Sequence, residues 1–243
     1  VALLRRRVSG CTGGGDATAR LWDARTGKEL FILNGHTDPI QSVAFSPDGK
    51  RAVTGCAGGT DTTARVWDTR TGKELSVLRG SMSNVYCVAF SPDGKWLAYP
   101  DRDSTKDPTG IFLISLETRQ KRRLTSTEPA IQGDECPSFS PDGRSLAFAK
   151  FVNRNLSQLY VLPLTAAMEA AGQPRQITFG DLPSAGPVWT PDGRQIIYVS
   201  GPKHHLGLWR LHLANPEKSK PLSLPSLVGN SKLVQPALSR DGR

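Results

Sequence analysis

The sequence predicts an all-β fold, a β-propeller made of four-stranded antiparallel blades, and three observations support this prediction. A short turn sequence occurs five times, as SPDG at 46–49, 91–94 and 140–143 and in the variants TPDG at 190–193 and SRDG at 239–242. Successive copies are offset by 45, 49, 50 and 49 residues. A second match, ATARLWDARTGKEL at 17–30 and TTARVWDTRTGKEL at 62–75, has the same 45-residue offset. Four strands in 45–50 residues is the period of a propeller blade.

Short strands account for the residues between these turns. One period contains the runs IQSVAF, KRAVTG, TARVW and KELSVL, each bounded by Gly, Pro, Asp or Asn. Their β-branched and apolar residues alternate as strands do. Pro-Asp-Gly suits the tight turn, because proline presets φ and glycine supplies the positive φ that closes a hairpin. Only TAAMEAAG at 165–172 is expected to form a brief helical turn.

The repeats resemble two related propeller families. Residues 35–80, with Gly35-His36 and Trp67-Asp68, resemble a complete WD repeat, and residues 8–33 resemble the latter part of another. From about residue 125 a proline precedes each turn strand, in CPSFSPDG, GPVWTPDG and QPALSRDG. These later repeats resemble the WD-like repeats of bacterial TolB-type propellers. The resemblance implies one propeller domain over the whole chain, 1–243.

The same comparison divides the chain into about five blades. We expect a partial WD blade without its first strand at 1–33, a WD blade at 35–80 and a degenerate WD blade at 81–124. TolB-like blades follow at 125–178 and 179–224, and 225–243 supplies the first strand, LVQPAL, of a further or closing blade. That strand could complete the first blade and close a ring of five. The alternative, which the ends of the chain favour, is a fragment of a propeller with six to eight blades.

Three polar residues of the complete WD repeat are of the residue types that form catalytic triads. His36, Thr54 and Asp61 offer an imidazole, a hydroxyl and a carboxylate, but a triad needs an exposed nucleophile beside an oxyanion hole. The resemblance to WD repeats implies instead a buried hydrogen-bond network with Trp67. The first blade repeats three of these four residue types, at Ser9, Asp16 and Trp22, and a catalytic set is not expected twice.

The four cysteines fall at two pairs of equivalent positions. Cys11 and Cys56 each lie 11 residues before a tryptophan, and Cys87 and Cys136 each lie five before a turn proline. Equivalent sites in adjacent blades are expected to lie farther apart than the ~7 Å Cα separation that a disulfide tolerates. The sequence therefore predicts buried free thiols, which favours a reducing compartment.

Composition and motifs exclude several classes of function. The chain has 243 residues, a net charge of +9 and no apolar run long enough to span a membrane. Its basic residues are scattered except for Arg5–Arg7 and RQKRR at 119–123, so no specific nucleic-acid binding is predicted. Gly-x-Ser-x-Gly, a phosphate-binding glycine loop, HExxH and CxxC are absent. We predict no enzyme activity, no cofactor and no metal site.

Function is therefore expected on the loops of one face of the propeller. Turns such as SPDG and TGKEL lie on one face, and the longer, more varied connections lie on the other, where binding residues concentrate. The residues predicted to contact a protein or peptide there, unless they are merely solvated, are Asp101, Arg102, Arg154, Lys203, His204 and His205.

Three kinds of function agree with this sequence. The favoured one is a non-catalytic protein–protein interaction scaffold, which the WD resemblance implies. The others are a sensor propeller of a bacterial kinase or winged-helix regulator, and the gating propeller of a prolyl-oligopeptidase-like hydrolase whose catalytic domain lies outside this chain. A cytoplasmic location is expected, with a periplasmic one left open.

Overall fold

The computed structural model describes residues 2–4, 9–79, 81, 83–126, 133–153, 155–202 and 206–222, and these form five four-stranded antiparallel sheets. In the first sheet the strands are β1 (Ala2–Leu4), β2 (Ser9–Gly13), β3 (Ala19–Asp23) and β4 (Glu29–Leu33), and in the second β5 (Ile40–Phe45), β6 (Arg51–Cys56), β7 (Ala64–Asp68) and β8 (Glu74–Leu78). The third contains β9 (Ala89–Phe90), β10 (Trp96–Asp101), β11 (Gly110–Ser115) and β12 (Lys121–Arg123). The fourth contains β13 (Asp134–Phe139), β14 (Ser145–Asn153), β15 (Leu156–Pro163) and β16 (Arg175–Gln176), and the fifth β17 (Ser184–Trp189), β18 (Gln195–Ser200), β19 (Gly207–His212) and β20 (Asn215–Pro221).

Each sheet is a meander in which neighbouring strands in sequence are neighbours in space. The predicted all-β propeller of four-stranded blades is confirmed. Successive sheets pack face to face, β2 on β5, β5 on β9, β10 on β13 and β13 on β17. The hydrophobic core therefore lies between blades rather than within one.

The middle strands of the third blade are apolar on both faces because they are enclosed by the second and fourth blades. In β10, Leu97 and Tyr99 pack in the cluster shared with the second blade, and Ala98 packs in the cluster shared with the fourth. The paired strand β11 divides in the same way, with Phe112 in the first of these clusters and Leu113 in the second. Side chains of a strand alternate between its faces, so one strand contributes to two cores.

The four-residue turns are built alike in the four blades that contain them within the described residues. In the first copy the Ser46 hydroxyl donates to Asp48 Oδ1 at 2.6 Å, and the Arg51 backbone N–H donates to Ser46 Oγ at 2.9 Å. The closing glycine, Gly49, has φ of 71°. The glycines of the later copies have nearly the same φ: Gly94, Gly143 and Gly193.

Two expectations about the elements are wrong. The first blade does not lack its inner strand, because Ala2–Leu4 pairs with β2 and fills that position. Three apolar residues are too few to show a strand pattern in the sequence. The predicted closing strand, LVQPAL, lies outside the described residues. The segment 165–172 forms turns and an isolated bridge between Leu164 and Ala170 instead of a helical turn.

Among the described residues, no helix has the length and hydropathy needed to cross a membrane.

The meander gives the domain two distinct faces. In the second to fifth blades the inner strand ends at a four-residue turn, and the turns that follow first and third strands lie on one face, here called the turn face. Connections from second to third strands, and from one blade to the next, lie on the opposite face, here called the loop face. Because strands alternate in direction, this division holds for all five blades.

Candidate functional site

The second blade contains a buried chain of hydrogen bonds that joins three of its elements. Trp67 Nε1 on β7 donates to Thr54 Oγ1 on β6 at 2.9 Å. Thr54 Oγ1 lies 2.8 Å from His36 Nε2, and His36 Nδ1 lies 2.8 Å from Asp61 Oδ2. The indole N–H can only donate. The Thr54 hydroxyl is therefore free to donate to His36 Nε2, and a neutral imidazole with its proton on Nδ1 donates to Asp61.

Burial sets the charge state of this network. The pKa of His36 is lowered below 6.5 because burial disfavours the imidazolium, and this outweighs the opposing hydrogen bond and charge of Asp61. Burial also raises the pKa of Asp61, but hydrogen bonds from Thr63, His36 and Thr37 together hold it well below its ordinary value. The pair is thus a carboxylate beside a neutral imidazole at neutral pH.

The geometry of the network indicates a structural role. The Thr54 side chain is 0% exposed, so no substrate carbonyl can reach its hydroxyl. Each polar group has a partner, which is the condition for burying such groups without destabilising the fold. The network joins the segment that precedes the inner strand to the second and third strands of the same blade.

His36, Cys56 and Asp61 also bring three possible metal-ligating atoms within 4.8 Å of one another. Both imidazole nitrogens are already engaged by Thr54 and Asp61, and the Cys56 thiol donates to Asp38 O at 2.9 Å. Burial raises the pKa of Cys56 to about 11, which opposes the thiolate that a metal requires. A metal would have to displace several satisfied hydrogen bonds, so the donor set fits the hydrogen-bond network better than an ion.

The first blade repeats two of these contacts, without an imidazole between them and with a hydroxyl other than that of Ser9. Trp22 Nε1 donates to Thr12 Oγ1 at 3.0 Å, and Asp16 Oδ1 accepts from the backbone N–H and the hydroxyl of Thr18. Ser9 does not occupy the hydroxyl position, because its backbone lies opposite Asp23 in the β2–β3 ladder. The prediction of Ser9 was wrong because the hydroxyl residue precedes the tryptophan by 13 positions in the second blade, from Thr54 to Trp67, but by only 10 in the first, from Thr12 to Trp22.

The cysteines are all buried and free, as the sequence predicts. The sequence did not predict that the sulfurs of one pair are in contact. Cys87 Sγ and Cys136 Sγ lie 2.7 Å apart, although they belong to adjacent blades. In a propeller the inner strands and the residues just before them lie nearest the central axis, where neighbouring blades are closest together.

The basic run at 119–123 makes internal ion pairs. Lys121 Nζ lies 2.6 Å from Asp101 Oδ2, and Arg123 Nη1 lies 2.7 Å from Asp103 Oδ2. Arg122 donates to the main-chain oxygens at 167 and 168 and lies over the Trp96 ring. These three cations therefore stabilise loops of their own blade and of the following blade.

The six residues predicted on the loop face divide into three groups. Arg102 lies there, where its guanidinium is 3.4 Å from both Ser83 Oγ and the Thr105 main-chain oxygen. Asp101 does not, because it is the last residue of β10 and its carboxylate is fully buried against Lys121. Arg154, Lys203, His204 and His205 lie outside the described residues.

The loop face also presents three large hydrophobic side chains that the sequence prediction did not include. Tyr86, in the connection from the second to the third blade, is 47% exposed, and Phe179, between the fourth and fifth, is 59% exposed. Leu182, in the same connection as Phe179, is also exposed. Each lies between strands, where no alternating pattern assigns it to a core. A large hydrophobic residue in such a connection is the sequence signal that could have identified it.

The fold and these networks define a β-propeller whose first two blades contain WD-type hydrogen bonds. The family model described as the TolB beta propeller domain matches residues 20–242. The chain therefore belongs to the TolB β-propeller family.

Curated relatives match short stretches of the chain. Ribosome assembly protein 4 of Chaetomium thermophilum is 54% identical over 39 residues, which is 16% of this chain and 8% of that protein. The WD40 repeat-containing protein HOS15 of Arabidopsis thaliana is 54% identical over 35 residues, or 14% of this chain and 6% of that protein. The chain thus spans less than a tenth of the length of either relative.

Two solved structures show the same fold over most of the chain. TolB from Acinetobacter baumannii superposes with a TM-score of 0.73 at 21% identity, covering 96% of this chain and 55% of that one. The hydrazine synthase of Kuenenia stuttgartiensis superposes with a TM-score of 0.68 at 18% identity, covering 93% and 66%. At these identities the likeness describes the architecture alone.

Proposed function

We propose that this chain is a non-catalytic interaction module that binds a protein or peptide on its loop face. The observation that carries the proposal is the exposure of Tyr86 and Phe179 on connections between blades. Aromatic side chains are enriched in protein–protein interfaces and supply much of their binding energy. A rigid scaffold that holds such side chains on loops is suited to recognition.

Two further features support a binding role over a catalytic one. The polar cluster that most resembles a triad is fully enclosed in the second blade, where it stabilises the fold. Propellers of the WD and TolB kind generally mediate protein interactions. That second argument rests on fold analogy and has less weight than the exposed side chains.

Quantitative co-purification from the cells that encode the protein tests the proposal. We expect the tagged chain to retain a specific partner. The double variant Tyr86→Ser, Phe179→Ser should retain at least about tenfold less of that partner, because both side chains are proposed as binding anchors. The matched control is Leu75→Ser, which removes a side chain of 53% exposure from the outer strand β8 rather than from the loop face. Equal loss in the control, or unchanged retention in the double variant, would contradict the proposal.

A further inference from the structure

One position, at or just before the inner strand, contacts the next blade in each of two consecutive interfaces. It lies four residues before the first turn residue and is occupied by Ser42, Cys87, Cys136 and Gly186 in successive blades. Ser42 Oγ accepts the Val88 backbone N–H across the second interface at 3.0 Å. Cys87 Sγ meets Cys136 Sγ across the third interface at 2.7 Å. This position therefore links neighbouring blades near the axis.

Cys136 is held in a backbone conformation that its side chain disfavours. Its φ is 52°, and it lies in a β-bulge where the register of β13 against β14 shifts between Glu135 and Ser138. The fifth blade has the same bulge with Gly186 at the equivalent position, where φ is 59°. Glycine adopts this conformation without strain and cysteine does not.

Cys136 is strained at a position where the fifth blade has glycine. This strain indicates that the cysteine side chain itself is required. Bulges re-aim side chains, and this one aims the Cys136 sulfur across the interface at Cys87. Burial alone does not explain the residue, because glycine fills the same buried position in the next blade.

We propose that Cys87 and Cys136 are a modification site at which a disulfide bond joins the third and fourth blades when the folding chain meets a disulfide oxidant such as glutathione disulfide. One cysteine sulfur attacks the oxidant, forming a mixed disulfide and releasing one glutathione. The second sulfur then attacks the mixed disulfide at the protein sulfur and releases the other glutathione. The two protein sulfurs are oxidised, the two glutathione sulfurs are reduced, and the two thiol protons end on the two glutathiones.

The surroundings of the pair determine when the bond forms. Both side chains are buried, and the hydrogen bond with Cys136 together with burial raises the pKa of Cys87 well above its ordinary value. The thiolate needed for exchange is therefore disfavoured once the blades have packed. The bond forms before packing is complete, and afterwards it is shielded from reductants.

Peptide mapping tests the linkage directly. The protein is unfolded, refolded with reduced and oxidised glutathione, treated with iodoacetamide in denaturant and digested with trypsin. We expect residues 80–95 and 124–144 to appear as one linked species, two hydrogens lighter than the separate peptides, with Cys11 and Cys56 alkylated. Alkylation of all four cysteines, or a linkage that involves Cys11 or Cys56, would overturn the proposal.

Thermal unfolding tests whether the bond joins the blades. Because the bond closes a 49-residue separation, the oxidised protein should unfold roughly 10 °C above the reduced protein. Cys87→Ser and Cys136→Gly, which introduce the residues that other blades carry at this position, should each abolish the difference, and Cys56→Ser should retain it. Equal unfolding temperatures for the oxidised and reduced native sequence would count against the proposal.

Discussion

The Thr54 hydroxyl connects Trp67 to His36, so it serves two buried partners at once. Thr54→Val keeps the shape of the side chain but leaves an indole N–H and an imidazole nitrogen without partners. We expect it to lower the free energy of unfolding by about 2–4 kcal/mol. Urea denaturation measures the loss.

The first blade supplies the matched control for this change. Thr12→Val removes a hydroxyl that pairs with Trp22, whose side chain is only partly buried. The expected loss is about 1 kcal/mol. If the two substitutions had equal effects, the network around His36 would not be the stabilising feature described here.

The His36 imidazole makes stability depend on pH in a defined window. Its pKa is lowered in the folded protein, so the unfolded chain takes up a proton near its ordinary value of 6.5 while the folded protein does not. The unfolded state then binds more protons, and the free energy of unfolding falls as the pH drops below 6.5.

Urea midpoints measured from pH 8 to about pH 5 check this dependence. The variant His36→Gln should be less stable throughout but should lose the dependence within that window. The lowered pKa of Asp61 adds a second decline only below about 3.8, where the unfolded carboxyl becomes protonated. A His36→Gln profile parallel to that of the native sequence would refute the assignment.

Residue types in the network could be predicted from the sequence, but their register could not. The WD pattern identified His36, Thr54, Asp61 and Trp67, because the spacing of a blade is fixed by its strands. Ser9 was predicted at the position that Thr12 occupies, because a fixed offset of 45 residues ignores the different lengths of the two connections. Exposure could not be predicted either, because buried Asp101 is directly followed in sequence by Arg102 on the loop face.

At the scale of the element, the turn glycines are required for their conformation. A Cβ at Gly143 would meet its nearest atoms, on Met168 and Pro92, at 3.7 Å, which is ordinary contact. Its φ of 71° is nonetheless unfavourable for alanine. Gly143→Ala should therefore destabilise the protein by about 1 kcal/mol through backbone strain alone.

Asparagine is the control at this turn because it tolerates the left-handed conformation better than alanine. Gly143→Asn should cost measurably less than Gly143→Ala in thermal or urea unfolding. An equal cost for both would show that space rather than φ requires the glycine.

Strands and turns were predictable wherever the repeat was intact. The second blade is recognisable because its turns and apolar runs recur, and the structure forms the expected four strands there. Ala2–Leu4 was missed because three residues carry no periodicity, and their pairing with β2 is a long-range effect. The bulge at Cys136 was missed because its proline signals a departure from the ladder without giving its direction.

At the scale of the whole molecule, convergence of the inner strands decides which residues meet. The sequence gives equivalent positions but not the distance between them, so Cys87 and Cys136 were expected to be far apart. The structure brings their sulfurs into contact and places connections from different blades on one face. Exposed Tyr86 and Phe179 therefore lie on the same face, although they are 93 positions apart in sequence.

The most direct test of the proposed function is site-specific photo-crosslinking in the native cells. A photoreactive phenylalanine analogue is placed at Tyr86, at Phe179 or at Lys73, which is exposed on the turn face. We predict that positions 86 and 179 crosslink to the same protein or peptide and that position 73 does not. Crosslinks to that partner from position 73 alone, or no crosslink from either loop-face position, would contradict a binding role for this face.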